Sequence, residues 1–268
     1  MNNQSVERVK ATELPSWLLS RGITSVTTDE IAALIHVPKN QVPQRMAPLK
    51  KRHEIVLLTS GLWVPVPPEY MTWGAPPAIE FIEAMMQHMG TGYYVGWLSA
   101  AELLGASHHA PQTFQVAVTR AIRPSQIGRS RLHFYQRDHV RLIGTVNFET
   151  KSGFVPVSSR ETTMLDATND LGLVGGIDHA VNLVTELCEA PLDPTALAAL
   201  AAHYPISAVR RLGFILEHFT DSGDAGRLKQ ISDSRKASVS LLDPQSANTG
   251  AIDANWCLKI NREVNPDV

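Results

Sequence analysis

The sequence predicts a mixed α+β protein with a small N-terminal domain and a larger C-terminal mixed α/β domain. Three observations support this. Residues 1–66 carry short helical patterns that end in a hairpin pattern, residues 67–77 are rich in proline, and residues 78–268 mix helical and strand-like segments. The chain of 268 residues is long enough for two domains. We therefore expect a domain at 1–66, a semi-rigid linker at 67–77 and a second domain at 78–268.

Two helices are predicted at the start of the chain. An apolar stripe over residues 5–21 indicates the first helix, and Pro15 inside it predicts a kink or two shorter helices. Thr28 precedes two acidic residues and a second apolar stripe, which is typical of an N-cap and a first helical turn. The second helix is expected to end at the Val37-Pro38 step, because proline cannot continue it.

A third helix and a hairpin follow. A helix is expected within residues 40–52, but Pro48 removes an internal hydrogen bond, so its ordered part is expected to be short, over residues 42–47. Residues 55–58 and 62–66 predict two strands around a Thr-Ser-Gly turn. A short helix, a turn, a basic helix and a hairpin make the pattern of a winged helix-turn-helix, a class that binds duplex DNA.

Basic residues concentrate in the predicted third helix. The chain has a net charge of −2, yet residues 39–53 contain five Lys and Arg and no acid. Such a segment is typical of a phosphate-facing patch, and a solvated helix face is the alternative. Gln41, Gln44 and Arg45 are expected to face base edges, whereas the later cations are expected to contact phosphates. The expected DNA-binding set is Lys39, Asn40, Gln41, Gln44, Arg45, Lys50, Lys51, Arg52 and Ser60.

Helical and strand-like patterns are interspersed from residue 78 onward. Residues 220–255 are rich in turn formers, and we expect little regular structure there. Ser99 is expected to cap a helix that ends at Leu104, and Ser158 or Ser159 to cap a helix that includes residues 163–171. The other helices are expected over 78–89, 176–189, 193–203 and 206–219, and the strands over 93–97, 114–119, 132–135, 140–143, 145–149 and 256–260.

Several segments, taken in order, resemble a known family. They are the winged-helix pattern that ends at residues 52–64, YYVGWLSAAELLGASHHAPQTFQVAVT at 93–119, VPVSSRETTMLDATN at 155–169 and YPISAVRRLGFILEHF at 204–219. Their order and spacing resemble the AbiEi-like antitoxins of type IV toxin–antitoxin systems.

The resemblance implies two activities. The N-terminal winged helix would bind repeated sites in the protein's own promoter and repress its operon, and the C-terminal domain would counter a nucleotidyltransferase-like toxin. Antitoxins of this type need not touch their toxin. The sequence departs from the family pattern at Pro43 and Pro48, and the wing at residues 53–61 contains no Arg.

A second basic series lies in the C-terminal part. Within residues 118–151, only Asp138 and Glu149 oppose it. Three interpretations stay open, namely an antitoxin surface, a second DNA contact and a set of solvated strand ends. The candidate antitoxin surface comprises Arg120, Arg123, Arg129, Arg131, Arg137 and Arg141.

The sequence contains no clear catalytic or metal-binding pattern. His108-His109 has no carboxylate or Cys at ligand spacing nearby. Glu161 and Asp166 lie five residues apart, which does not place them on one helix face, and they are expected to anchor their helix to the sheet. Two cysteines cannot form a disulfide framework or a zinc cluster. We expect a non-enzyme that requires no cofactor and no metal.

Two alternatives remain, a ligand-responsive repressor without a toxin and, less favoured, a nucleic-acid-modifying enzyme with a DNA-binding module. The polar first residues and the lack of any apolar run of about 18 residues predict a cytoplasmic protein without a membrane partner.

Overall fold

The computed structural model describes residues 8–106, 111–140, 143–221, 225–235 and 238–266. Helices and several sheets occur throughout these residues, so the predicted mixed α+β class is confirmed. The chain divides into two compact units. Unit 1 comprises residues 1–92, 120–134 and 148–155, and unit 2 comprises residues 93–119, 135–147 and 156–268.

The N-terminal segment of unit 1 consists of three helices and a three-stranded sheet. Strand β3 is central and pairs antiparallel with β1 and β2. Three helices followed by a hairpin agree with the predicted element order, and the short strand between the first two helices was not predicted. The elements are α1 (Leu14–Ser20), β1 (Val26–Thr27), α2 (Thr28–Ile35), α3 (Val42–Lys51), β2 (Ile55–Thr59) and β3 (Leu62–Pro65).

Helix α1 is shorter than the sequence predicts. A 3₁₀ turn at Ala11–Glu13 leads into the helix, and Pro15 occupies its first turn. A proline is well tolerated there because the N–H it lacks would have no helical partner. Pro15 therefore starts a helix, so the predicted kink is wrong and the predicted alternative of two shorter helices is confirmed. The first three predicted helical residues, 5, 6 and 7, lie outside the described residues.

Helix α2 is capped one residue earlier than predicted. The Oγ1 of Thr27 accepts a hydrogen bond from the backbone N–H of Glu30 at 3.2 Å, and the Glu30 carboxylate accepts one from the N–H of Thr27 at 2.7 Å. This reciprocal capping box satisfies two donors at the helix start. Thr28 is the first helical residue instead, and its Oγ1 accepts a hydrogen bond from the indole N–H of Trp63 at 2.9 Å.

Helix α3 continues through its proline. Pro48 lies inside the helix, so the predicted end at residue 47 is wrong. An interior proline costs a helix about 3 kcal/mol. Three apolar side chains of α3, those of Val42, Met46 and Leu49, are buried in the core of this segment. Because full burial contributes roughly 1.5–3 kcal/mol for each of these three side chains, their combined packing outweighs the cost of the proline.

Unit 1 extends beyond the hairpin. The proline-rich segment forms a 3₁₀ helix at Pro68–Trp73 and is followed by α4 (Ala78–His88). Val66 and Ala75 are buried on either side of the 3₁₀ helix. Strands β6 (Ser125–Ile127) and β7 (Ser130–Gln136) form an antiparallel hairpin, with Ser125 opposite Leu132. Independent folding of residues 1–66, and a linker role for 67–77, stay predictions.

Unit 2 combines strands with a set of packed helices. Strand β4 pairs antiparallel with β5 through Val95 and Val116, and parallel with β9 through Val95 and Val157. The residues of β7, β8 and β9 are divided between the two units. The elements are β4 (Tyr93–Val95), α5 (Trp97–Leu103), β5 (Phe114–Val118), β8 (Thr145–Thr150), β9 (Gly153–Ser158), α6 (Arg160–Asn169), α7 (Ile177–Leu187), α8 (Pro194–Ala201) and α9 (Ile206–Phe219).

The last part of unit 2 differs most from the prediction. Helix α10 (Ala225–Ser234) lies in the segment predicted to be turn-rich. It is followed by a small sheet in the order β10-β12-β11, formed by β10 (Ser240–Leu241), β11 (Ala251–Asp253) and β12 (Leu258–Ile260). The buried Leu228 of α10 contributes to the core of the unit.

Two local predictions in the middle of the chain are also corrected, and a third is confirmed. Gly96 precedes α5 at its N-cap, and Ser99 is buried inside the helix, where its Oγ accepts a hydrogen bond from the N–H of Gln115 at 2.9 Å. The described ends of the predicted strand at 140–143 are not in a strand, and residues 141 and 142 lie outside the described residues. Ser159 caps α6, which was one of the two predicted choices.

Candidate nucleic-acid interface and a buried carboxylate cluster

The exposed face of α3 carries most of the predicted DNA-binding side chains. A short 3₁₀ helix at Lys39–Gln41 leads directly into α3, so its residues extend the same helical segment. The apolar stripe of α3 faces the core, and this orientation turns its polar residues outward. All nine predicted residues are exposed, namely Lys39, Asn40, Gln41, Gln44, Arg45, Lys50, Lys51, Arg52 and Ser60.

The basic side chains of this face differ in their partners. Lys39 contacts the Asp29 carboxylate at 2.8 Å, and Arg52 contacts that of Glu54 at 2.5 Å. Among the described residues, Arg45, Lys50 and Lys51 have no ion pair. Their side chains can therefore contact a phosphate or a base edge without losing an existing ion pair. Lys39 and Arg52 would first have to give up their ion pairs with Asp29 and Glu54.

The turn of the β2–β3 hairpin is held by α4. An imidazole nitrogen of His88 lies 2.9 Å from the backbone carbonyl oxygen of Ser60, and Gly61 adopts a positive φ of 85°. Glycine tolerates this conformation, which closes the turn tightly. The Ser60 hydroxyl is thereby presented at an anchored turn, but the wing offers no arginine for phosphate contacts.

The arginines of residues 120–141 do not form one exposed series. Arg120, Arg123, Arg129 and Arg131 belong to unit 1 and are exposed, whereas Arg137 belongs to unit 2. Arg141 lies outside the described residues.

Arg120 has a structural contact within unit 1. Its guanidinium donates hydrogen bonds to the Thr91 hydroxyl and to the Met89 carbonyl oxygen, each at 2.7 Å. This guanidinium therefore ties the start of the 120–134 segment to the end of α4.

A buried carboxylate cluster occupies the centre of unit 2. Asp166 of α6 is fully buried, and its two oxygens accept hydrogen bonds from the hydroxyls of Tyr94 at 2.9 Å and Tyr204 at 2.8 Å. An Nη2 of Arg137 lies 3.7 Å from the same carboxylate. Burial raises the pKa of Asp166 to about 6, although Arg137 and the two phenols act in the opposite direction. Burial and the neighbouring carboxylate also raise the pKa of both phenols above their ordinary range.

Arg137 is held by a second carboxylate. Its guanidinium donates to Asp170, which also accepts a hydrogen bond from the indole N–H of Trp97 at 3.0 Å. The guanidinium lies 5.3 Å from the centroid of the Trp97 ring, within the range of a cation–π contact. Only 25% of the Arg137 side chain is exposed. This placement corrects the expectation that Arg137 faces outward together with the other arginines.

A cavity of about 510 Å³ adjoins the cluster. His139 and His203 contribute exposed side chains to its lining, and their ring centroids lie 6.3 Å apart. Both oxygens of Asp166 are already bonded to protein groups, so the carboxylate connects α6 to β4 and to Tyr204 before α9. The predicted anchoring role of Asp166 is thus confirmed. Glu161 does not contact the sheet in this way, since its carboxylate accepts a hydrogen bond at 3.0 Å from the N–H of Asp193, the N-cap of α8.

The arrangement offers little for metal chemistry in the part of the chain that the structure describes. Within those residues, no group of three or more His, Cys, Asp or Glu side chains is placed to hold an ion. The His108-His109 pair lies outside the described residues. Sequence reasoning singled out Asp166 but missed Tyr94, Tyr204 and Asp170, whose partners are distant in sequence.

These features define a two-unit α+β protein with an exposed basic helix in its first unit and a helical core in its second. Residues 94–218 match the AbiEi antitoxin C-terminal domain family. The resemblance drawn from the sequence is confirmed over these residues, and the winged-helix part of that resemblance lies outside the match. This domain supports the role of an antitoxin in a toxin–antitoxin system.

One of two similar solved structures shares the fold. The crystal structure of the RV2827C protein from Mycobacterium tuberculosis is similar with a TM-score of 0.68 and 14% identity, over 94% of this chain and 92% of that chain. At this identity the similarity concerns the fold alone. An antigenic nucleotidyltransferase-like protein from Paracoccidioides brasiliensis has a TM-score of only 0.33 and 10% identity, over 52% of this chain and 90% of that chain.

No curated protein matches the chain significantly. Within the described residues, no helix combines the length and apolar character that crossing a membrane requires.

Proposed function

We propose that the protein is a DNA-binding autorepressor and an antitoxin of a type IV toxin–antitoxin system. Helix α3 binds the protein's own promoter, and the antitoxin domain counters a nucleotidyltransferase-like toxin without an obligatory contact. The observation that carries the DNA-binding part is the outward face of α3. It presents Arg45, Lys50 and Lys51, which have no ion pair among the described residues, in a segment with the element order of a winged helix.

We assign base reading and phosphate binding to different side chains of α3. Arg45 lies in the first half of α3, where side chains face base edges in this class of protein, and Lys51 lies at its end. Arg45→Ala is expected to lower discrimination between the promoter and random duplex DNA by about 1–3 kcal/mol. Lys51→Ala is expected to weaken both duplexes equally and to reduce the salt slope by about one.

Fluorescence anisotropy with the full-length protein and two labelled duplexes, measured over a salt series, checks this division. Lys229→Ala in α10 removes an equal charge from unit 2 and serves as the control. Equal effects of Arg45→Ala and Lys51→Ala on specificity would show that the base-reading position is misplaced. If the wild-type protein shows no preference for its promoter, the proposed repressor function is wrong.

We further propose that the chain acts without catalysis of its own. The buried Asp166 is bonded to two phenols and lies beside Arg137, so it is committed to structure. Incubation of the protein with DNA, tRNA or nucleotides in the presence of Mg²⁺ or Mn²⁺ is expected to leave all of them unchanged. Gel electrophoresis and thin-layer chromatography check this, and a product that disappears in the Asp166→Asn variant would favour an enzyme.

The cavity in unit 2 supports a second candidate, a repressor that responds to a small ligand. Its lining combines two exposed imidazoles with the edge of the Asp166 cluster. The two functions differ in one outcome, because only an antitoxin restores growth to cells that express the toxin. A growth-rescue assay with the full-length protein separates them.

A further inference from the structure

The proline-rich segment after the hairpin presents two aromatic rings at the surface of unit 1. Tyr70 and Trp73 belong to the 3₁₀ helix at Pro68–Trp73, and their ring centroids lie 5.6 Å apart. Trp73 is 43% exposed, although a tryptophan gains most by burial. Tyr70 is half-buried beside it, and an exposed tryptophan held at a fixed position is typical of a contact surface.

Two hairpins bring a cation to each ring. The guanidinium of Arg129, in the β6–β7 turn, lies 6.0 Å from the centroid of Trp73. The ammonium of Lys151, between β8 and β9, lies 5.8 Å from the centroid of Tyr70. These distances are within the range of cation–π contacts, which orient a cation without neutralising it. We call the set Tyr70, Trp73, Arg129 and Lys151 the Trp73 surface.

The position of Arg129 is fixed by its neighbour. Gly128 adopts a φ of +57°, and a Cβ at this residue would lie 2.5 Å from the Trp73 carbonyl oxygen and 2.9 Å from the Cβ of Ala75. The β6–β7 turn therefore packs its backbone directly against the 3₁₀ helix, which only glycine permits. Arg129 and the exposed Arg131 are held by this contact, although they lie more than 50 residues after Trp73 in the sequence.

The Trp73 surface is continuous with the basic end of α3. His53 follows Arg52, and one of its ring nitrogens lies 3.0 Å from the carbonyl oxygen of Met71 in the 3₁₀ helix. A Cβ at Gly74 would lie 3.4 Å from both the His53 ring and the Gly128 backbone. The end of α3, the 3₁₀ helix and the β6–β7 turn are thus successive neighbours within unit 1.

The positive charge of unit 1 favours a polyanion as the ligand of the Trp73 surface. Unit 1 contains 13 Lys and Arg against nine Asp and Glu, whereas unit 2 contains 11 against 17. Residues 120–134 contribute four arginines and no acid. The acid beside the surface is Glu69, which lies 3.9 Å from Lys151. A basic surface that continues a DNA-reading helix matches the phosphate backbone of the same duplex.

We propose that the Trp73 surface, together with Arg131, binds the phosphate backbone of duplex DNA that flanks the site read by α3. This inference rests on the proposed DNA-binding function and extends it, because it assigns part of the second basic series to DNA. The arginines supply affinity that does not depend on sequence and lengthen the footprint, while α3 supplies the sequence preference.

The test compares full-length Arg129→Ala/Arg131→Ala with wild type on a promoter duplex and a random duplex of equal length over a salt series. The variant is expected to weaken both duplexes equally, to leave their affinity ratio unchanged and to reduce the salt slope by about two. Arg129→Lys/Arg131→Lys is expected to restore the slope because it retains the charge. Lys229→Ala again serves as the control, and thermal melting verifies that each variant folds.

Four outcomes decide between the interpretations. A shorter hydroxyl-radical footprint in the alanine variant, together with the reduced slope, supports the proposal. An unchanged slope and footprint, while the wild type still binds its promoter, overturns it and leaves the proposed function intact. Lost toxin rescue with unchanged DNA binding also overturns it and returns these arginines to the antitoxin surface. Failure of the wild type to bind DNA contradicts the proposed function itself.

Discussion

Reversal of both lysines at the end of α3, Lys50→Glu/Lys51→Glu, is expected to abolish repression of the promoter and to leave rescue from the toxin intact. Both side chains are exposed and have no ion pair among the described residues, so the reversal breaks no observed ionic contact. Each reversal removes a phosphate contact and adds a repulsive charge at the DNA surface. We expect promoter affinity to fall on the order of 100-fold or more at physiological salt.

Rescue is expected to persist because the antitoxin domain family matches residues 94–218, which do not include α3. The variant is expressed from a promoter that does not depend on the protein, so that loss of autorepression cannot alter its dose. A promoter–reporter assay and a growth-rescue assay are then run on the same cells.

Two outcomes would contradict this separation. If the reversed variant loses rescue while its melting temperature is unchanged, the antitoxin function depends on the DNA-binding surface. If the variant still represses, α3 does not contact the promoter. Lys229→Glu is a single charge reversal in unit 2, and because Lys229 contacts Asp233, Lys229→Ala provides the accompanying neutral control.

The sequence predicted the N-terminal segment well because its signals are local. An acidic first turn, a proline step and a glycine turn each act within a few residues, and they located α2, α3 and the hairpin. Errors arose where another interaction competed. Thr27 displaced Thr28 as the cap because Glu30 lies three residues after Thr27, and core packing kept α3 helical through Pro48.

The set of segments that form unit 1 could not be predicted from such local signals. Residues 120–134 join the N-terminal segment through contacts such as that of Gly128 with Trp73 and Ala75. No local sequence pattern predicts a contact between residues so far apart in the chain. Helix α10 was missed for a related reason. It has few apolar residues, and the spacing of Leu228 and Ile231 was the available sign of a buried face.

The Asp166 cluster also depends on contacts between residues far apart in the sequence. Tyr94 and Tyr204 are separated from Asp166 by 72 and 38 residues. The spacing of Glu161 and Asp166 argued against acid–base chemistry and favoured an anchor, but nothing in the sequence identified its partners. The cluster therefore became visible only when the fold placed β4, α6 and Tyr204 around one carboxylate.

The Asp166 cluster makes the free energy of unfolding fall as the pH rises. A surface carboxylate paired with a cation would have the opposite effect. The pKa of Asp166 is raised from 3.8 to about 6 in the folded protein. The folded state therefore binds this proton more tightly than the unfolded chain does. As a result, this group lowers the free energy of unfolding as the pH rises from about 4 to about 6, by about 3 kcal/mol in all, and the loss is complete above the folded pKa.

Asp166→Asn is expected to remove this pH dependence while it keeps the packing. The amide oxygen can accept a hydrogen bond from one phenol, the amide nitrogen can donate to the other, and Arg137 retains Asp170 as its partner. Relative to the wild type, the variant should therefore gain about 3 kcal/mol in unfolding free energy between pH 4 and pH 7. Asp166→Ala instead leaves both hydroxyls without their acceptor and should cost on the order of 4 kcal/mol at neutral pH.

Urea denaturation of the three proteins at several pH values between 4 and 7 measures these differences. Asp233→Asn, at an exposed carboxylate of α10, is the control and should follow the wild-type pH profile closely. A constant difference between Asp166→Asn and wild type across this range would show that the carboxyl titrates at its ordinary pKa. The penalty of burial would then be fully offset by the phenols and Arg137, and the cluster would neither favour nor penalise the charged carboxylate.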